Sequence, residues 1–336
     1  MALTPGQVLQ KGKYTIDREL RRDWYSISYL AQGSDGHRWV IKILDPAVLA
    51  GLSEEEQSRL HNRFMKEAMT LATCTDRSPY IVKVQPAFME NNLLCLPFEY
   101  PGGTSLHDRS QPMLKEETAL EYIRQLSEAV EVLHSQGLVH RDIRPANIFL
   151  RIQDDKAEAV LTDFDLVMDF NAELSRTCTQ DRADGFTPIE LYSRGQPVGP
   201  YTDVYSLAAT LYEMLTGTTP VSAESRQADK TPLESPQVKN PEISGRVAKA
   251  ILAGMEILPE KRPQTLQAWL QQLGEASDPK APDPGRVVTP EAVNWSKWGV
   301  IWAVIIGIFA AIPAWLALKP EAAPPNPPTP TTQPTP

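Results

Sequence analysis

The stretch Leu138-Val139-His140-Arg141-Asp142-Ile143-Arg144-Pro145-Ala146-Asn147-Ile148 sets a histidine, two arginines, an aspartate and an asparagine among apolar residues. Asp163-Phe164 follows at the end of AVLTDF (159–164), an apolar run that reads as a strand. Before these segments, to about residue 100, the chain reads as short strands around one helix. RWVIKIL (38–44) is a buried strand, and YIVKVQPAFM (80–89) and LLCLPFEY (93–100) are two more. Between them Ser53-Glu54-Glu55-Glu56 is a capping box, in which serine and a glutamate three residues on satisfy each other's backbone N–H. Leu60, Phe64 and Leu71 mark the buried face of the helix it opens. After residue 100 the 3.6-residue period runs through 117–133, 202–215, 244–255 and 266–273, so this half is mostly helical.

The net charge is −9 with no block of like charge, which argues against nucleic acid as a partner, because phosphate contacts need clustered Lys and Arg. Cys74, Cys95 and Cys178 are scattered, without CxxC pairs, so neither structural disulfides nor zinc is expected and a reducing compartment fits best. Residues 1–20 hold Lys11, Lys13, Asp17 and Glu19 and no apolar core, so no secretory signal is expected. Near the other end WGVIWAVIIGIFAAIPAWLAL (298–318) runs 21 residues without a charge between Lys297 and Lys319. At about 1.5 Å per residue it spans about 30 Å, the thickness of a bilayer core, and reads as a transmembrane helix. Trp298, Trp302 and Trp315 lie toward its ends, where indole rings favour the interface. A linker rich in proline and charge (274–297) precedes it and a proline-rich tail (319–336) follows.

Glu67 falls on the apolar face of the first helix, three residues after Phe64, and a carboxylate there needs a cationic partner. Lys42 is the candidate, because alternation puts it on the same strand face as Val40 and Leu44. On these residues alone, a snorkelling lysine and a half-exposed glutamate is the alternative. Wider matches bear on the choice. His140-Arg141-Asp142 is followed by Asn147, Asp163-Phe164 comes next, and Lys42 ends WVIK (39–42). Pro188-Ile189-Glu190, Arg262 in PEKRP (259–263) and Asp203 in YTDVYSLAATLYEMLTG (201–217) complete the set. In this order and spacing the motifs resemble the protein kinase family over nearly the whole of 14–273. The wording of 206–217 is most similar to bacterial, particularly cyanobacterial, Ser/Thr kinases.

The resemblance implies an α+β, two-lobed kinase fold, with a β-rich N-lobe carrying one helix (14–100) and a helical C-lobe (101–273), besides the transmembrane helix. It implies ATP and Mg²⁺ as cofactors and a protein as substrate. Lys42 would hold the α- and β-phosphates, oriented by Glu67, while Asn147 and Asp163 would hold the metal. Asp142 would orient the substrate hydroxyl and accept its proton, and Arg144, where lysine is usual, would face the γ-phosphate. Leu20 and Glu99, the latter through its hinge carbonyl, would contact the nucleotide, with Phe98 as gatekeeper. Arg141 would face a phosphorylated activation segment, in which Ser175, Thr177 and Thr179 are candidate phosphosites, and Arg262 would pair with Glu190.

Four positions depart from the family pattern. The aligned glycine-rich stretch is Leu20-Arg21-Arg22-Asp23-Trp24-Tyr25-Ser26, with Arg21, Asp23 and Ser26 in place of three glycines. Glycine lets backbone N–H groups approach phosphates closely, so nucleotide binding is expected to weaken. Asp23 is expected to add repulsion, and Arg21 and Arg22 to offer side-chain contacts in exchange. Asp165 replaces the glycine after Asp163-Phe164, Pro101 lacks the hinge N–H, and Ala183 stands where Ser/Thr kinases carry threonine. Two functions follow: a membrane-anchored serine/threonine kinase, or a pseudokinase acting as a membrane-tethered scaffold. In either, the expected location is the cell membrane, single-pass, with the kinase domain cytoplasmic and the C-terminal tail outside.

Overall fold

Alternating apolar residues in the first hundred positions build one six-stranded sheet. Its strands are β1 (Val8–Leu9), β2 (Tyr14–Arg22), β3 (Ser26–Gly33), β4 (Arg38–Leu44), β5 (Phe88–Glu90) and β6 (Leu93–Glu99), in the order β1-β2-β3-β4-β6-β5. Every neighbouring pair is antiparallel. Ile41 and Ile43 of β4 join Tyr14, Ile16, Ile27 and Tyr29 in a core on one face. On the other face Leu44 and Leu96 pack with Leu60 and Phe64 of α2 (Glu54–Cys74). That helix follows the short α1 (Pro46–Ala50) and opens on the expected capping box. Glu56 N–H donates to Ser53 Oγ at 3.3 Å, and Ser53 N–H donates to Glu56 Oε2 at 2.9 Å.

The computed structural model describes residues 2–164, 168–169, 185–193 and 195–274, less the side chains of residues 66, 67, 70, 168 and 169. Two units divide the chain, 1–279 and 280–336, and the described residues fall in the first. The segment 298–318 thus lies outside them, as do 275–297 and the tail. Among the described residues no helix is long and apolar enough to cross a membrane.

Two differences from the sequence reading concern the first lobe. The run 80–89 is not a continuous strand: Ile81 and Val84 make isolated bridges to Leu161 and Phe98, and only Phe88–Glu90 pairs as a strand. Pro86 has no N–H to give a ladder, which breaks the run. Packing also begins before residue 14, because Leu3 and Leu9 are buried and β1 pairs with β2.

The second lobe is built from β7 (Thr104–Ser105), α3 (Glu116–His134), β8 (Leu138–Val139), β9 (Ile148–Gln153), β10 (Lys156–Leu161) and β11 (Met168–Asp169). It continues through α4 (Pro200–Thr216), α5 (Ala223–Ala228), α6 (Pro236–Lys239), α7 (Gly245–Gly254) and α8 (Leu266–Leu273). The four helices expected from periodicity are all present. α4 is buried at every position from Thr202 to Thr216, as a helix surrounded by packing partners must be. It stops at Gly217, whose φ of 67° is left-handed and suits glycine. Trp269 of α8 is fully buried and donates its indole N–H to the Ala250 carbonyl of α7 at 2.9 Å.

Candidate active site

The loop after β8 is held from below by a carboxylate of α4. Asp203 accepts from the main-chain N–H groups of His140 (2.9 Å) and Arg141 (2.8 Å) and lies 2.8 Å from Nε2 of His134. Burial pushes the Asp203 carboxyl up, but the His134 ring and these donors outweigh it and hold it below the usual carboxylate range. Two donors on one acceptor fix the backbone through Arg141, whose φ of 73° is left-handed. The His140 ring is buried against Phe164, with centroids 4.9 Å apart, and burial lowers its proton affinity.

This clamp presents Asp142. Asn147 Nδ2 donates to Asp142 Oδ2 at 2.7 Å and to its main-chain oxygen at 2.9 Å, and Arg144 Nε lies 3.5 Å from Oδ1. Burial pushes the Asp142 carboxyl up to about 7; the like charge of Asp163 adds to the rise, while Arg144 and the Asn147 amide oppose it. A carboxyl that titrates near neutrality is suited to moving a proton.

Above the loop a cleft opens between the lobes. Leu20, Val40, Val82, Phe98, Tyr100 and Pro101 line it from the first lobe and hinge, and Phe149, Thr162 and Phe164 from the second. Five polar residues singled out in the sequence, Arg21, Asp23, Lys42, Asn147 and Asp163, also line it. Lys42, 5% exposed, has its ammonium 5.7 Å from the centre of the Tyr25 ring and 5.8 Å from that of Phe64. The side chain of Glu67 lies outside the described residues, so its expected pairing with Lys42 does too. Glu99 ends β6, but its carboxylate is not part of the cleft wall and sits 3.7 Å from Arg151. Its expected contact with nucleotide is a main-chain one.

The glycine-free hairpin behaves differently from its sequence reading. Along β2, Glu19 pairs with Tyr29 and Arg21 with Ser28, so two steps on β2 match one step on β3. This bulge turns two adjacent residues, Leu20 and Arg21, into the same cleft, which strict alternation forbids. Arg21 NH1 donates to Asp163 Oδ2 at 2.7 Å, and its Nε lies 2.5 Å from Asp23 Oδ1. Asp23, from which repulsion was expected, lines the cleft as well and is paired there with Arg21. Arg22 turns away to Glu19 and Asp45, so of the two arginines only Arg21 lines the cleft. Neither the bulge nor the Arg21–Asp163 pair carries a sequence signal beyond a charge in an unusual place.

A hard divalent cation fits this donor set. Asp163 already holds a cationic group, and with Nδ2 of Asn147 committed to Asp142 the polar atom left on that amide is its oxygen. Farther out, Glu190 and Arg262 form a bidentate pair (2.7 and 2.9 Å) that is 2% and 0% exposed, as their motif positions suggested. Arg262 also donates to the carbonyls of Glu256, Ile257 and Tyr201, so its whole donor fork is used. Asp165, Ser175, Thr177, Thr179 and Ala183 lie outside the described residues.

A β-rich lobe and a helical lobe, facing each other across a cleft with one lysine, one asparagine and two aspartates at hand, define a fold of the protein-kinase type. The family profile described as "Protein kinase domain" matches residues 26–272. The chain belongs to the protein kinase family. Among curated proteins it is 30% identical over 210 residues to probable serine/threonine-protein kinase zyg-1 of Caenorhabditis elegans, covering 62% of this chain and 28% of that one. It is 26% identical over 277 residues to calcium-dependent protein kinase 33 of Arabidopsis thaliana, covering 79% and 51%. The chain thus spans about half or less of the length of these relatives. Among solved structures, the Mycobacterium tuberculosis PknI kinase domain superposes with a TM-score of 0.58 at 23% identity, over 82% of this chain and 100% of that one. The structure described as PpkA-294 apo form gives 0.63 at 23%, over 81% and 99%. Both likenesses concern the fold.

Proposed function

We propose that the chain is a serine/threonine protein kinase that transfers the ATP γ-phosphate to a protein hydroxyl and is anchored in a membrane by residues 298–318. The observation that carries this reading is the convergence of Lys42, Asn147 and Asp163 on one interlobe cleft, with Asp142 hydrogen-bonded to Asn147 beside it. The curated relatives, one a probable serine/threonine-protein kinase and one a calcium-dependent protein kinase, support protein hydroxyls as acceptors.

In this reading the apolar walls at Leu20, Val40, Phe98 and Phe149 take the adenine. Pro101 has no N–H to offer there, which leaves the Glu99 carbonyl as the hinge contact. Lys42 binds the α- and β-phosphates. Asp163 and Asn147 would hold Mg²⁺ through their oxygens, and the ion would supply charge neutralisation at the phosphates. Asp142 would accept the proton of the substrate hydroxyl as its oxygen bonds to the γ-phosphorus and the bond from that phosphorus to the β–γ bridging oxygen breaks, releasing ADP, while Arg144 would present positive charge at the same place. Positioning and electrostatics then carry the rate.

Binding tests the reading. With Mg²⁺ and ATP at about 100 times its dissociation constant, the full-length protein is expected to gain about 2.7 kcal/mol, a melting shift of several degrees. ATP without Mg²⁺ should give little. No shift and no transfer of labelled phosphate, in folded protein, would remove the enzyme and leave a protein-binding scaffold.

The anchor rests on the uncharged run 298–318 and its flanking lysines and tryptophans. Protease added to intact cells is expected to clip an epitope at the extreme C-terminus and spare the kinase domain. Protection of the epitope with digestion of the domain would reverse the orientation, and recovery of the whole chain in the soluble fraction would remove the anchor.

A further inference from the structure

Arg21 stands where the family pattern has glycine, and the bulge in β2 aims it into the cleft. Its NH1 donates to Asp163 Oδ2 at 2.7 Å while Nε stays 2.5 Å from Asp23 Oδ1. Asp23 lines the cleft too, with its side chain 11% exposed. The hairpin itself is closed without glycine: Asp23 N–H donates to the Ser26 carbonyl at 2.9 Å, and the Trp24 and Tyr25 rings meet at 4.5 Å. That N–H, bonded within the turn, is committed before any phosphate arrives. The guanidinium, by contrast, is a strong planar phosphate donor, and its side chain is 43% exposed.

We propose that Arg21 is a nucleotide-phosphate ligand, held in reserve on Asp163 in the nucleotide-free protein and released to the phosphates when a divalent cation takes that carboxylate. This rests on the reading of the cleft as a nucleotide site. A cation that takes Asp163 Oδ2 meets the guanidinium of Arg21 on that oxygen, so cation binding alone is expected to displace Arg21. Once displaced, Arg21 is tethered through Asp23 at the mouth of the cleft and finds a new anionic partner in the nucleotide. One side chain thereby couples the two ligands.

The coupling predicts opposite shifts on removing Arg21. In Arg21→Gln, the affinity for Mn²⁺ alone, read by the paramagnetic resonance of the free ion, should rise about three- to fivefold, because an exposed competitor is gone. In the same variant the affinity for Mg²⁺·ADP, read by titration calorimetry at saturating Mg²⁺, should fall about tenfold or more, because a charge-assisted bond is lost. Arg22→Gln removes the same charge one residue away, from a side chain bound to Glu19 and Asp45, and should shift neither affinity. Unchanged Mn²⁺ affinity in Arg21→Gln overturns the proposal, since Arg21 then does not occupy the cation position. Unchanged Mg²⁺·ADP affinity overturns it as well, since the released guanidinium then does not reach the phosphates. Equal shifts in Arg22→Gln overturn it in favour of bulk charge. A wild-type protein that binds no Mg²⁺·ADP sinks the nucleotide-site reading along with this one, whereas normal wild-type binding with an unshifted variant sinks this one alone.

Discussion

Arg262→Ala is expected to cost the kinase domain about 3–5 kcal/mol, a large part of the stability of an ordinary domain. The guanidinium is fully buried, binds both oxygens of Glu190 and three main-chain carbonyls, and lies 4.9 Å from the centre of the Tyr205 ring. Removing it strands a carboxylate that is 2% exposed and leaves those carbonyls without their donor. Because the pair joins the segment 188–192 to the stretch before α8, the loss should also loosen that junction. Urea denaturation of wild type and variant measures the cost. A loss below about 1 kcal/mol, the range of exposed pairs, would show that the pair is solvated in solution. Replacing both partners by apolar residues of similar volume should recover part of the loss, since the stranded charge is then absent.

Asp142→Asn should do two opposite things. Phosphate transfer should fall by about 10²–10⁴-fold, the range for a lost general base, because asparagine cannot accept the hydroxyl proton. The fold, however, should become more stable at neutral and alkaline pH. The Asp142 carboxyl is raised to about 7 in the folded protein, so between about pH 4 and pH 7 the folded state holds a proton that the unfolded state has released. Wild-type stability therefore falls as pH rises through that window and levels off above it. The variant lacks this dependence, so its advantage should be near zero at about pH 4 and reach a few kcal/mol at most at about pH 8. Melting curves of both metal-free proteins across this range test the point. Parallel curves would mean that Asp142 titrates as an ordinary surface carboxylate. Activity with the asparagine variant near the wild-type rate would take Asp142 out of the proton step.

Much of this arrangement is written in short stretches of chain. A serine followed three residues later by glutamate caps a helix through bonds among four residues, so Ser53 and Glu56 open α2 as read. The period of Leu60, Phe64 and Leu71 likewise states which face of α2 is covered, and all three are buried. Alternation along β4 sends Lys42 toward the cleft and Ile41 and Ile43 toward the sheet's other face. The pairing of Glu190 with Arg262 was legible through the family resemblance, since no local rule links residues so far apart.

Other features depend on what the folded chain brings near. The apolar run 80–89 has strand composition, yet Pro86 and the two lobes it joins break it into isolated bridges to Phe98 on one side and Leu161 on the other. Arg21 and Arg22 are adjacent and chemically identical, and the sequence treats them alike. A bulge of one residue in β2 separates them, sending Arg21 to Asp163 in the other lobe and Arg22 to Asp45 beside its own strand. The caps, helical periods and strand alternation were determined by the sequence itself, because each depends on neighbours a few bonds away. Which arginine lines the cleft, and which carboxylate it holds there, was decided only by the tertiary structure, because both depend on strand register and on the second lobe closing the cleft opposite.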